Sequence, residues 1–284
     1  MGNKIKIYVI GHKYFDIPKS NILIPIMAGA INKKQMSWQG LLRDNVDENI
    51  SSKNPQYSEL TAQYYVMKNE DADYYGFFHY RRYLNFSDKT SKRPYVYFSK
   101  DIGKLGEFIN INGAEEIIEQ YDILLPRPEN FFMTVYEHYN TSPSHVDKSA
   151  LQNILKITRE LYPEYVEDVD EYVNGYDNYL GNMYIMKKDL ANQYFNFLVN
   201  IFTKFDALYE DVPLRTQGFL AERLFGVFFN HIKRTTDLKY KFLQRVDVLK
   251  YYDKKHLRRL GYLLFPPSSK IRSQVKLIRN NKCK

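Results

Sequence analysis

The sequence predicts an α/β fold: a mostly parallel central sheet flanked by helices, in one domain over residues 1–250, with a basic helical extension over 251–284. Three observations predict it. Short β-branched or aromatic runs alternate with helical patterns. The chain has 284 residues, enough for one large domain, and no Pro/Gly/Ser-rich linker cuts it. Apolar residues make up 44% and charged residues 26%, ordinary for a globular protein, and the 16% aromatic content disfavours disorder.

The elements follow in order. Residues 4–10 read as the first strand because Ile5, Ile7, Val9 and Ile10 are β-branched. No signal-peptide core precedes them, and Lys6 stands where a myristoylation motif wants Ser or Thr. A polar loop follows. The longest apolar run, 22–31, has ten residues and contains Pro25. A bilayer span needs about 20, so no transmembrane helix is expected. Residues 44–55 are dense in turn formers and read as a long loop. A helix is expected over 58–69, with Glu59 in its first turn, where a carboxylate suits the helix dipole. Residues 74–78 form a short apolar strand closed by His79-Tyr80-Arg81-Arg82-Tyr83. Residues 84–112 read as a surface loop with little order. Residues 114–120 look helical, and 121–125 form a buried strand ending at Pro126. Helical periodicity spans 131–173, with breaks near Pro143 and Pro163. A strand is expected over 182–186 after Gly181, then helices over 189–209 and 216–232.

Charge and cysteine exclude several function classes. The net charge is +8, yet residues 254–284 alone hold ten Lys or Arg and no acid, so the main body carries −2. A basic tail on a near-neutral body argues against a nucleic-acid binder, which wants a basic stripe on the folded domain. The tail interleaves its charges with Leu257, Leu260, Leu263 and Phe265, a pattern that suits an anionic membrane surface or a solvated helix. Cys283 is the single cysteine, which rules out a disulfide framework and Cys-rich metal sites. His138 and His145 lack zinc-ligand partners at regular spacing. No P-loop, dinucleotide fingerprint or Gly-x-Ser-x-Gly elbow occurs.

In open α/β sheets ligands sit beyond the carboxyl ends of the strands, here the loops after Ile10, Phe78 and Leu125. The second is the richest. His79, Arg81 and Arg82 make a diphosphate clamp, since arginine binds phosphate through a planar, permanently charged fork; the alternative is a basic turn satisfying local acceptors. In an extended chain His79 and Arg81 point one way and Arg82 the other. Asp44, Asp47, Glu48 and Asn49 offer oxygens for sugar hydroxyls or a hard cation, or form an ordinary acidic turn. Asp71-Ala72-Asp73 invites a metal reading, but it precedes its strand and reads as a solvated turn. Glu222 shares a helical neighbourhood with Phe219 and Arg223: a general base beside an apolar wall, or a surface ion pair.

Three motifs occur together: Asp44-Asn45 with Asn49-Ile50-Ser51 and Asn54, then Tyr57-x-Glu59-Leu60-Thr61-Ala62, then His79-Tyr80-Arg81-Arg82-Tyr83. Gly181-Asn182-Met183-Tyr184 and Gly218-Phe219-Leu220-Ala221-Glu222-Arg223-Leu224 follow in order. Over roughly residues 4–235 the chain thereby resembles a bacterial family of capsule, exopolysaccharide and O-antigen loci, long classed only as a domain of unknown function. The resemblance implies a glycosyltransferase of GT-A-like fold using a nucleotide-activated sugar; members include galactofuranosyltransferases that use UDP-galactofuranose. One departure is visible: members often read Asp-Asp-x-Gly-Asp-Asn here, whereas this chain has Arg43-Asp44-Asn45-Val46-Asp47-Glu48-Asn49, without the glycine.

On this reading Asp44, Asn45, Asp47, Asn49 and Glu59 hold the UDP-sugar donor, with His79, Arg81 and Arg82 on its diphosphate. Glu222 is the first choice for the base of an inverting transfer and Asp177 the second, with His79 in a catalytic role. His138, Asn182 and Arg223 are assigned to the acceptor, a lipid-linked or oligosaccharide glycan. Because the His-Tyr-Arg cluster stands where related enzymes carry Asp-x-Asp, no metal is expected; the alternative is Mg²⁺ or Mn²⁺ on Asp44 or Asp47. The expected location is cytoplasmic, at the inner face of the membrane through the tail.

Overall fold

The computed structural model describes residues 2–33, 40–99, 101–249, 269–271 and 274. Almost all of the extension expected over 251–284, and with it the expected membrane contact, lies outside the described residues. Among the described residues no helix is long and apolar enough to cross a membrane.

The elements run β1 (Ile5–Gly11), β2 (Leu23–Met27), β3 (Leu42–Arg43), α1 (Asn54–Tyr57), α2 (Leu60–Asn69), β4 (Tyr74–His79), β5 (Arg82–Asn85), β6 (Tyr95–Phe98), α3 (Leu105–Phe108), α4 (Ala114–Ile118), β7 (Ile123–Pro126), β8 (Glu129–Asn130), α5 (Val135–Thr141), α6 (Ser149–Leu161), α7 (Val166–Asn174), β9 (Asp177–Asn178), β10 (Tyr184–Lys187), α8 (Lys188–Leu208), α9 (Thr216–Thr235) and β11 (Tyr240–Val248).

β1 and β4 are apolar along nearly their whole length because both faces are covered, as parallel strands require. β3, β2, β1 and β4 lie side by side and parallel. β10 runs antiparallel between β4 and β7. β11 lies parallel to β7, and its far half pairs antiparallel with β5 and parallel with β6. The sheet is therefore mixed rather than mostly parallel. The cause is local: after β9 the chain reaches the sheet at the edge where the parallel strands end, so β10 must run back. β8 and β9 form a separate two-stranded sheet.

Apolar clusters cover both faces. One joins the sheet to α2 and α6–α9. In α6 the buried residues Ala150, Leu151, Ile154, Leu155, Ile157 and Thr158 recur at helical period on one face. α9 approaches α7 closely at Gly226: a Cβ there would lie 1.9 Å from the Tyr172 ring, so only glycine fits. The other cluster corrects the expectation of a poorly ordered loop over 84–112. β5, β6 and α3 occupy that stretch, and Leu84, Phe86, Phe98, Leu105, Ile109 and Ile111 are all buried. Four-residue strands separated by polar residues are too short to show a readable period. β2 and β11 were likewise not expected from the sequence. β2 hides in the apolar run broken by Pro25, and β11 follows the last expected helix. Gly11, Met27, Arg43, His79 and Pro126 end the parallel strands on one edge.

Candidate active site at the strand ends

β4 and β5 form a tight hairpin. His79 pairs with Arg82, leaving Tyr80 and Arg81 as the turn. This corrects the extended reading: His79 and Arg82 are direct cross-strand neighbours, and Arg81 sits at the exposed tip. The Arg81 backbone N–H donates to His79 Nδ1 at 3.3 Å, so the neutral ring carries its proton on Nε2, facing away from the turn. Burial, followed by the charges of Arg82, Arg81, His12 and Arg215, pulls the His79 pKa down from 6.5 to about 2. His12 is lowered by burial and by Lys13, Lys33, Arg81 and Arg215. The Tyr80 ring lies among them, 4.4 Å from the His79 ring, 5.5 Å from that of His12 and 5.1 Å from the Arg81 guanidinium. No carboxylate among the described residues lies within ion-pair distance of Arg81, Arg82 or Arg215. Several cations crowd one edge with no ion-pair partner among the described residues for these three arginines, and that field favours a multiply charged anion.

Two carboxylates face this cluster. Glu222, on α9, accepts from the Gly181 backbone N–H at 2.7 Å through Oε1 and from Arg223 Nη1 at 2.6 Å through Oε2. Each oxygen keeps a further lone pair. Glu59, just before α2, accepts from Asn182 Nδ2 at 2.8 Å. Burial pushes its carboxyl up against the opposing Asn182 bond; the nearby Glu222 charge raises it further and Arg82 lowers it. Gly181 (φ 98°) and Asn182 (φ 48°) are both left-handed, and a Cβ on Gly181 would lie 3.1 Å from Arg82 Nη1. The Arg82 guanidinium thus packs over the peptide that holds Glu222. Ser58 and Arg215 are left-handed as well. Such backbone costs about 1–2 kcal/mol per non-glycine residue and persists where surrounding structure enforces it.

The acidic loop is built differently from its expected role. Asp44 is 0% exposed, and its carboxylate accepts from Gly29 N, Ala30 N, Ser51 Oγ and Thr61 Oγ1 at 2.8, 2.9, 2.6 and 2.5 Å. It ties the ends of β2 and β3 to α2, and both of its oxygens are taken up by these four donors. Asn45 Oδ1 accepts from Arg43 Nε, and Asn49 Nδ2 donates to the carbonyls of Val46 and Asp47. Asp47 is exposed with φ 45°, a left-handed backbone conformation that aspartate tolerates better than most residues.

His138, Asn182 and Arg223, expected at the acceptor, are 6%, 5% and 1% exposed. Arg223 Nη1 donates to Phe219 O, and Nη2 lies 3.4 Å from His138 Nδ1. Asn182 Nδ2 also donates to Gly218 O, and Asn182 O accepts from Gln63. These three residues hold Glu222 and Glu59 in place. Asp177 is exposed on β9, opposite Asn130, with no hydrogen bond to Glu222 or Glu59. Asp71 pairs with Lys188 at the far end of β4, as a solvated turn would. The sequence reading missed Arg215 and His12, which only the tertiary fold brings to the cluster. A mainly apolar cavity of about 170 Å³ lies elsewhere, between α2 and α8. Its one lining cation, Lys53, is held by Asp206 at 2.8 Å, so it does not suit a diphosphate.

Comparison with known proteins follows this geometry. Residues 6–234 match the profile described as Domain of unknown function (DUF4422). A solved structure, described as the apo structure of WbbM, a bifunctional glycosyltransferase, aligns with TM-score 0.79 and 32% identity. The alignment covers 87% of this chain and 45% of that one, so the chain spans less than half the length of WbbM. A search of curated proteins gave no match.

Proposed function

The chain belongs to the DUF4422 family, and from that premise we propose that it is a glycosyltransferase acting on a nucleoside-diphosphate sugar. The observation that carries the proposal is the cluster of Arg81, Arg82 and Arg215 with the neutral His79 at the strand ends, where the three arginines have no ion-pair partner among the described residues, facing Glu222 and Glu59. The likeness to WbbM, a glycosyltransferase by its description, supports the same reading. So does the β3-β2-β1-β4 order beside an antiparallel β10, which suits a GT-A-like arrangement.

In this proposal the donor is a UDP-sugar, with UDP-galactofuranose as the first candidate. Its diphosphate lies against Arg81, Arg82 and Arg215 and receives the His79 Nε2–H. As the anomeric C–O bond breaks, its electron pair leaves with UDP, and these fixed donors stabilise the growing charge without reorganising. The acceptor hydroxyl attacks from the opposite face, giving inversion, and its proton passes to Glu222. Arg223 and the Gly181 N–H fix the carboxylate's direction, leaving a lone pair for that proton. Glu59 hydrogen-bonds the sugar. The cations take the electrostatic role that a metal plays in related enzymes, so transfer proceeds without Mg²⁺ or Mn²⁺. The acceptor is a growing capsular, exopolysaccharide or O-antigen glycan, and the chain works in the cytoplasm at the membrane face.

The test is UDP release from a panel of UDP-sugars, with and without glycan acceptors, in EDTA. Release from one UDP-sugar, accelerated by an acceptor, is expected. Absence of release from every UDP-sugar, together with no UDP binding, overturns the proposal.

A further inference from the structure

With His138, Asn182 and Arg223 buried, the acceptor needs another surface, and the two-stranded sheet beside the site supplies one. Phe132 is 50% exposed and Tyr176 is 53% exposed. Phe132 follows β8 and Tyr176 precedes β9, so the antiparallel pairing of Asn130 with Asp177 sets both residues at the same end of that small sheet. Their backbones are pinned. The Phe132 N–H donates to Asn130 Oδ1 at 2.8 Å, and Asn178 Nδ2 donates to Tyr176 O at 3.2 Å. A backbone bond from Val135 N to Gly175 O, 2.9 Å long, ties the two loops together.

Phe132 is also left-handed, with φ 57°. A bulky residue in that region is an outlier, and here neither burial nor local propensity compensates the strain. An apolar ring held exposed by a strained backbone and a dedicated side-chain bond points to a ligand. The neighbouring residue connects it to the chemistry. Phe131 stacks on His138 at 4.2 Å with an interplanar angle of 6°, His138 lies against Arg223, and Arg223 holds Glu222. Asp177, exposed beside Tyr176, provides acceptors for ring hydroxyls.

We propose that Phe132 and Tyr176 form the acceptor subsite, a pair of aromatic faces on which a pyranose ring stacks through its C–H face while Asp177 takes its hydroxyls. The proposal deepens the glycosyltransferase reading and rests on it for the word acceptor. The binding chemistry is that of sugar C–H groups on a π face, worth roughly a threefold to tenfold change in affinity per ring.

The experiment is saturation-transfer NMR on the whole chain with methyl β-D-glucopyranoside, whose H1, H3 and H5 share one face, and separately thermal stabilisation by UDP. Saturation concentrated on H1, H3 and H5 is expected. The Kd from its titration should rise roughly threefold to tenfold in Phe132→Ala and Tyr176→Ala and hold in Phe132→Tyr and Tyr176→Phe, with the UDP shift unchanged in all four. Both rings are exposed, so truncation leaves the core untouched. Saturation without any UDP shift in the wild type would retain a glycan subsite while removing the transferase reading. No saturation in the wild type at tens of millimolar, or an equal Kd in the alanine variants, overturns the proposal. A change in sedimentation of those variants without wild-type saturation overturns it too, in favour of a protein interface.

Discussion

Glu222 Oε1 accepts the backbone N–H of Gly181 at 2.7 Å, joining two segments 41 residues apart beneath the Arg82 guanidinium. The bond gives the proposed base a fixed direction and couples it to the cation cluster through one peptide.

Glu222→Gln keeps one acceptor oxygen for the Gly181 N–H, turns its amide NH2 towards the Arg223 guanidinium, and removes the capacity to take a proton. Transfer should fall about 10²- to 10⁴-fold, in the range general-base catalysis supplies. The UDP-induced rise in melting temperature should stay. A calorimetric melt and a rate assay on the same preparation separate the two.

Gly181→Ala introduces a Cβ at φ 98° and about 3.1 Å from Arg82 Nη1. Backbone strain should cost about 1–2 kcal/mol, lowering the melting temperature by several degrees. UDP affinity should also drop, because Arg82 is displaced. Denaturant midpoints and a UDP titration measure the two effects.

Arg215 is the cation that the sequence did not reveal, and Arg215→Ala tests whether it belongs to the site. Loss of one charged hydrogen bond to diphosphate should weaken UDP binding by roughly tenfold to a hundredfold. Arg82→Ala should do the same, read by titration calorimetry. Uridine, which lacks the diphosphate, should bind both variants as it binds the wild type.

Asp44→Asn should damage the fold rather than the chemistry. The amide turns a donor towards buried donors that the carboxylate satisfies. A loss of about 2 kcal/mol, and a melting temperature lower by about 4–8 °C, is expected. The UDP shift should survive in the folded fraction.

The pH dependence of stability carries two opposed contributions. The unfolded His79 takes a proton near pH 6.5, while the folded ring resists it until about 2. Stability present above pH 6.5 is therefore lost as pH falls through that window. Glu59 is raised above 4.5 in the fold, so its contribution is lost as pH rises from about 4.5 through the folded value. His79→Asn should flatten the acid limb and Glu59→Gln the opposite one, in urea midpoints taken from pH 4 to 8.

Much of this was legible before the fold was known, and the pattern is physical. β1 and β4 are continuous apolar runs that only a doubly covered strand explains, and α6, α8 and α9 carry full helical periods. β5, β6 and β11 escaped because their pairing depends on residues far away in the chain. At the site, Glu222, His79 and Arg82 stood out as residues in local motifs, but the hairpin that pairs His79 with Arg82 did not. Arg215 and the aromatic pair Phe132 and Tyr176 did not, since exposure and left-handed backbone leave no mark on a single sequence. The burial of Asp44, Asn182 and Arg223 was not legible either, because buried and exposed polar positions use the same residue types.

The most direct test of the central claim is the melting temperature of the whole chain with UDP, in EDTA, against Arg82→Ala. The account predicts a UDP-dependent rise in the wild type that persists in EDTA and shrinks in the variant, since ligand bound to the folded form stabilises by mass action. A rise that requires Mn²⁺, or one of equal size in Arg82→Ala, would contradict it.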